Sequence, residues 1–444
     1  MTTVATPVHR PPAGRPASGR DRFVDVVRAL ATVAIVSVHW LMPEATWDGR
    51  HVHAGNALSH GAAWTVTWVL QLLGVLFFAA GAAAAYQSRR RASLRSTAAA
   101  VARTTSATHP HDDGAAWWRV PVRSLRRVAG PVVAFAAAWA LAAMVLPRLG
   151  VPDGAVGFAV HLAPQLLWFL GVWLVLLALT SVLRRAWGRF GWKSVAVAAA
   201  LPVVVDLLRF GGLARLTGVD TLAVPGAAWA NVLLVWLVPF LLGIAYAERA
   251  GSAGVLPVTS RALWCGAVGG LGATAALVAL GPYPASMIGM PGATVSNLAP
   301  PTVVALTLAV GQICLLVLAR DALLRLTRPG SRGAVLVSWV AARSMTLYLW
   351  HLTAMIAVVG VTVVGAGLVL PGSWSAGWWL TRPAWLLACV GVLALLVRGF
   401  GRFEGVATAR RPRNVTVRAA ALLEPSRSST GGPQTSRVSP VGVV

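Results

Sequence analysis

Ten stretches of mostly apolar residues alternate with polar segments, near 23–42, 62–86, 128–147, 158–183, 193–208, 229–247, 262–281, 300–319, 342–370 and 380–400. Most approach or exceed the roughly 20 residues that cross about 30 Å of hydrocarbon. Apolar runs of that length predict helices that satisfy their own backbone hydrogen bonds in lipid. The expected fold is all-α, a polytopic membrane bundle of about ten transmembrane helices. The stretch 193–208 is the weakest, being short and carrying Asp206 near its end. Asp25 and Arg28 interrupt the start of the first stretch and no small-residue cleavage site follows it, so it reads as a retained helix. Residues 1–20 and 406–444, rich in Pro, Gly, Ser, Thr and Arg, read as disordered cytoplasmic tails around a transmembrane domain at 21–405.

Composition agrees with lipid as the solvent: 57% of the 444 residues are hydrophobic and 11% charged, where a soluble domain carries about a quarter charged. Lys and Arg number 38 against 13 Asp and Glu. In a soluble chain that excess would suggest nucleic acid. Here the basic residues fall between apolar runs and on the tails, so the expected partner is a bilayer and no nucleic acid. With the N-terminus inside, all but Arg50, Arg148, Arg209, Arg215 and Arg382 fall on the inner side. That asymmetry follows the positive-inside rule, and removing one span would scramble it. Both termini are expected in the cytoplasm, with the chain multi-pass in the cell membrane. Cys265, Cys314 and Cys389 sit inside apolar runs and read as small core residues. Glu44, Asp48, His51 and His53 crowd the first outer loop, but they form no closed ligand set in a flexible-looking segment, and no metal is expected.

The first stretch carries the most informative chemistry: Asp25, Arg28 and His39. At about 100° per residue, His39 lies about 20° past three turns from Arg28 and about 40° short of four turns from Asp25. All three share one face. At about 1.5 Å per residue His39 is about 16 Å beyond Arg28, at roughly mid-membrane depth. Ionisable groups there belong against a polar interior rather than lipid. Two readings stand: a structural Asp25–Arg28 pair with a histidine satisfied by a neighbouring helix, or a working site.

Asp25, Arg28, ten intervening residues and His39 resemble the first-helix signature of the acyltransferase-3 membrane family, the O-acyltransferases of bacterial surface glycans. Phe77-Phe78-x-x-Gly81 is similar to the family's second helix. Arg126-Arg127-Val128-Ala129-Gly130-Pro131 resembles its basic loop into the third, Trp168-Phe169-Leu170 its fourth, and Leu347-Tyr348-Leu349-Trp350-His351 its near-terminal helix. The resemblance covers about 25–400 in family order, and the family has ten such helices. It implies transfer of an acyl group, acetyl being the first expectation, from a cytoplasmic acyl-CoA to a hydroxyl of a glycan, glycolipid or glycosylated small molecule. Acyl-CoA is then a substrate, and no cofactor is bound permanently.

On that reading His39 is a general base. Arg28 either stabilises developing charge or holds the donor's phosphates, with Asp25 fixing its geometry. The resemblance assigns Arg123, Arg126 and Arg127 to the CoA moiety, a role suited to guanidinium–phosphate pairing; positive-inside topology is the plainer alternative. Tyr348 and His351 read as cavity-lining or as satisfied core residues. The outer loop Tyr283–Pro301 is a candidate acceptor contact. No Walker A loop, HExxH, dinucleotide fingerprint or Gly-x-Ser-x-Gly elbow occurs. The rival reading is a secondary transporter, which would show inverted repeats and paired broken helices. Oligomeric state has no signature in the sequence.

Overall fold

The computed structural model describes residues 21–104, 119–211, 225–249 and 258–405. Both expected tails and Trp117-Trp118 lie outside the described residues. The described residues are helical almost throughout. Helix α1 (Arg22–Leu41) leads into a hairpin of β1 (Pro43–Trp47) and β2 (Val52–Asn56), then α2 (Thr65–Leu70), α3 (Leu73–Thr104) and α4 (Arg119–Val145). There follow α5 (Asp153–Leu162), α6 (Leu167–Phe190), α7 (Trp192–Arg209), α8 (Asn231–Arg249), α9 (Ser260–Leu280), α10 (Val303–Leu318) and α11 (Arg320–Leu326). The last long elements are α12 (Arg332–Ala342), α13 (Ser344–Val359) and α14 (Ala376–Phe400).

Among the described residues eight stretches are long and apolar enough to cross a membrane, and a ninth exists if α10 and α11, bent by 59°, act together. The chain is therefore a multi-pass helical membrane protein. Helix α7 covers the fifth expected stretch but stands outside that set, because its 18 residues include Lys193, Asp206 and Arg209. Asp206, 2% exposed, explains how a carboxylate is tolerated there. Its Oδ1 accepts from Asn231 Nδ2 at 2.9 Å, and its Oδ2 from the Val303 N–H at 2.8 Å and the Tyr283 hydroxyl at 3.1 Å. A buried carboxylate saturated in this way acts as a tie between elements, here α7, α8, α10 and the loop before α10. Burial, and then the Asp206 carboxylate beside it, push the Tyr283 phenol above its ordinary pKa.

Helix α1 sits at the centre. Phe23, Val27, Ala31 and Ile35 join one apolar cluster with α3 and α8, while Val36 and Trp40 join a second with α4, α13 and α14. The α3–α8 contact is close because both helices offer glycine at the crossing. A Cβ on Gly81 would lie 2.0 Å from the Phe240 carbonyl oxygen, and one on Gly243 would lie 2.0 Å from that of Phe78. Small residues of this kind let backbones approach where apolar burial alone does not drive helices together.

The segment after α1, expected to be flexible, is an ordered hairpin pairing Pro43 with Asn56 through Trp47 with Val52. Its connection is the four-residue loop Asp48-Gly49-Arg50-His51, with Gly49 at φ 94°, and the Asp48 carboxylate accepts from the Arg50 and His51 N–H groups at 2.7 Å. Asp-Gly between β-formers is a hairpin signal in its own right. The loop Tyr283–Pro301 is also ordered. Asn297, fully buried, donates to the carbonyls of Pro284 and Ser286 and accepts from Thr302, so its side chain is used in shaping the loop.

Candidate active site

The polar face of α1 begins at its N-terminus. Asp21 caps the helix by accepting from the Phe23 N–H at 2.9 Å, and its other oxygen accepts from the hydroxyls of Tyr86 and Tyr246 at 2.9 and 3.0 Å. Arg320 Nε donates to the Tyr246 oxygen at 3.3 Å. One turn on, Arg28 Nη2 meets Asp25 Oδ1 at 2.6 Å, an i, i+3 ion pair with both partners partly exposed. Leu30 and Val33, 38% and 50% exposed, mark a different side of the helix. By helical geometry they lie well over 100° from the face of Arg28 and His39. The polar residues therefore point away from the most exposed apolar side of α1.

His39 stands in the last turn of α1, nearer the hairpin than the middle of the helix. Its half-buried ring meets that of His351 edge-on, with centroids 5.0 Å apart. His39 Nδ1 is 2.7 Å from the Ile35 carbonyl oxygen and 3.3 Å from His351 Nε2, and His351 Nδ1 is 2.7 Å from the Tyr348 carbonyl oxygen. A carbonyl only accepts, so the partners assign the proton to Nδ1 in both rings. His351 Nε2 then accepts a second, longer branch from His39 Nδ1–H. His39 Nε2 keeps its lone pair and has no hydrogen-bond partner among the described residues.

The surroundings hold this pair from several sides. Trp40 Nε1 donates to the His351 carbonyl at 3.0 Å, and Trp385 Nε1 donates to the Trp40 carbonyl at 3.0 Å, which ties α1 to α13 and α14. The N-terminus of α13 is held by Glu404, whose carboxylate accepts from the N–H groups of Met345 and Thr346 at 3.1 and 3.0 Å. An anion there complements the positive end of the helix. Tyr348 is buried behind the pair, its ring 5.0 Å from Phe169 and its hydroxyl donated to the Leu166 carbonyl. His351 and Tyr348 are thus the packed support of His39, at 0% and 7% exposure.

Arg123, Arg126 and Arg127 fall on the first turns of α4, and their side chains lie outside the described residues. Arg28 and His39 are not brought together: they stand eleven positions apart on one helix, about 16 Å in rise. Arg382, expected in an outer loop, is instead the seventh residue of α14 and only 7% exposed. Among the described residues no three His, Cys, Asp or Glu converge as metal ligands. Asp48 accepts from two backbone N–H groups and lies 2.8 Å from His53 Nε2, contacts that hold its carboxyl below the ordinary range. Sequence reasoning passed over Asp21, Glu404 and Arg382. Only Asp21, an N-cap residue directly before an apolar run, carried a local signal.

Together these features define a polytopic membrane protein with a protein-supported imidazole at one end of its central helix and an arginine–aspartate pair towards the other. Residues 21–397 match the family model described as an acyltransferase domain, of the acyltransferase-3 type. That is most of the chain, and the chain belongs to this family of membrane O-acyltransferases, which transfer groups other than amino-acyl groups. The permease reading gives way to that membership. No curated protein and no solved structure matches the chain.

Proposed function

We propose that the enzyme moves an acyl group, acetyl first, from a cytoplasmic acyl-CoA to a hydroxyl of a glycan, glycolipid or glycosylated small molecule. On this reading it works in the cell membrane with both termini in the cytoplasm. The observation that carries the proposal is the lone pair of His39 Nε2, left open while Nδ1–H is engaged by Ile35 and His351. Nε2 takes the proton of the acceptor hydroxyl as that oxygen attacks the thioester carbonyl. The tetrahedral intermediate collapses with cleavage of the C–S bond, and the imidazolium returns the proton to the leaving thiolate. His351, accepting from Nδ1–H, steadies the ring and its transient positive charge, as the third member does in nucleophile–base arrangements generally.

The separation along α1 favours the second of the two roles open to Arg28. With about 16 Å of helix rise between the two positions, Arg28 stands far from the charge developing beside the imidazole and is suited to the donor's distant phosphate end. The long pantetheine arm bridges the two. The family resemblance assigns Arg123, Arg126 and Arg127, near the start of α4, to the same end of the donor.

The test is purified enzyme with labelled acetyl-CoA, followed for hydrolysis and transfer. His39→Ala is expected to lower turnover about 10²–10⁴-fold, the usual contribution of general base catalysis. A folded His39→Ala enzyme with undiminished turnover would end the assignment.

A further inference from the structure

Helix α14 carries a second polar constellation that the transfer chemistry above does not use. Trp378, Arg382 and Trp385 stand at i, i+4 and i+7, on one helical face. The Arg382 guanidinium lies 4.0 Å from the Trp378 ring centroid and 5.5 Å from that of Trp385. Its Nε and Nη1 are buried with no hydrogen-bond acceptor among the described residues, and no carboxylate there lies within ion-pair distance. The indole Nε1 of Trp378, a residue 1% exposed, is likewise buried without an acceptor.

Buried polar groups are ordinarily satisfied, and a buried unpaired charge is far more costly than a neutral group. Cation–π contact with two indoles offsets only part of that. Guanidinium and indole N–H are donors and never acceptors, so three unmet donors on one helical turn ask for a partner that only accepts. A carboxylate or phosphate oxyanion has that chemistry, and a guanidinium binds it in bidentate fashion. The neighbourhood is built rather than incidental. Trp374 packs at a tilt against Trp378, with centroids 4.7 Å apart, and is held at φ 67°, a region that non-glycine residues rarely occupy, with its Nε1 donated to the Ala57 carbonyl. Through Trp385, which donates to the Trp40 carbonyl, the same face adjoins the residue next to His39.

We infer that Arg382 and Trp378 bind an oxyanion carried by the acceptor, so that the acceptor is an acidic glycan or glycoconjugate presenting a carboxylate or phosphate near the hydroxyl to be acylated. The inference rests on the proposed function for calling the ligand an acceptor, while the anion site has its own readout. Full-length protein in detergent is titrated with glucuronate, inorganic phosphate and neutral glucose, and the thermal unfolding midpoint is followed, since a ligand that binds the folded state raises it. Saturable stabilisation by glucuronate or phosphate and none by glucose is expected. The apparent Kd should rise about tenfold or more in Arg382→Gln, as for loss of a charge-assisted hydrogen bond, and less in Trp378→Phe, which removes the indole N–H and shrinks the ring but leaves the guanidinium.

Equal stabilisation by glucose, or an unchanged Kd in Arg382→Gln, overturns the site. If Arg382→Gln does not fold, Trp378→Phe and Arg382→Lys decide by the same criterion. The titration is repeated in phosphatidylcholine nanodiscs with and without phosphatidylglycerol. Loss of the glucuronate response only where phosphatidylglycerol is present assigns the oxyanion to a lipid headgroup and overturns the acceptor assignment. Absence of acyl transfer by a protein that still shows the anion response would sink the proposed function and leave the site.

Discussion

Replacing His351 by Phe separates the support of the imidazole from the imidazole itself. Phe keeps a ring of similar bulk in a fully buried position but removes Nε2, the acceptor 3.3 Å from His39 Nδ1, and Nδ1–H, the donor 2.7 Å from the Tyr348 carbonyl. The first loss acts on catalysis. A hydrogen bond to a charged group contributes about 1.5–3 kcal/mol, and a 3.3 Å branch shared with the Ile35 carbonyl belongs at or below the lower end. Turnover should therefore fall about tenfold, since about 1.4 kcal/mol is a factor of ten, with little change in KM for acetyl-CoA. The second loss acts on stability. The Tyr348 carbonyl keeps its place in the α13 ladder, so the loss is that of one net hydrogen bond, about 0.5–1.5 kcal/mol, enough to lower the unfolding midpoint by about a degree in a chain of this size. Both effects are read from one preparation, by initial rates with labelled acetyl-CoA and by thermal unfolding. A His351→Phe enzyme that is destabilised but keeps wild-type turnover would refute the reasoning, because it would show that His39 needs no acceptor at Nδ1 beyond Ile35.

Gly81→Ala places a methyl group 2.0 Å from the Phe240 carbonyl oxygen, so α3 and α8 must part; overpacking of this kind costs about 1–3 kcal/mol, and a midpoint equal to wild type would refute the close crossing. The Asp48 carboxyl is held low by N–H donors that exist only in the folded hairpin. Its contribution is therefore fully present above the ordinary carboxylate range near pH 4 and is lost only as the pH falls through the lowered folded value. Amide exchange at Arg50 and His51 should accordingly speed up in Asp48→Ala at neutral pH, whereas wild type should show a comparable loss of protection only in strong acid.

The bundle was legible because lipid removes alternatives: a long apolar run in a bilayer has to be helical. The same logic left α7 the weakest of the spans. Hydropathy sees Asp206 as a charge, while its acceptability depends on Asn231, Tyr283 and Val303, which arrive from distant parts of the chain. The α1 face was legible from helical spacing alone, including the Asp25–Arg28 pair. The contact between His39 and His351 was not, since it joins residues 312 positions apart. Arg382 was misplaced for a related reason. Charge counting assigns an arginine near a helix end to a loop, but Trp378 and Trp385 give its stem and its charge somewhere to go within the helix. Asp48-Gly49 was a readable turn obscured by the four potential metal ligands around it.

The length of α1 governs what the two ends of the site can do. The backbone positions of an imidazole and a guanidinium on the same face of one helix hold a fixed separation, because helical geometry sets it and no loop intervenes. The Asp21 cap with its two tyrosine hydroxyls holds one end, and the Trp40–His351 and Trp385–Trp40 bonds hold the other. A donor that meets a cation at one end and a base at the other must itself be extended and anionic at one terminus. An acyl-CoA satisfies that requirement, whereas a short activated acyl donor such as an acyl phosphate reaches only one end. Conservative changes at Arg28 should therefore act on donor affinity, and changes at His39 on the chemical step. A single compact site would have mixed the two.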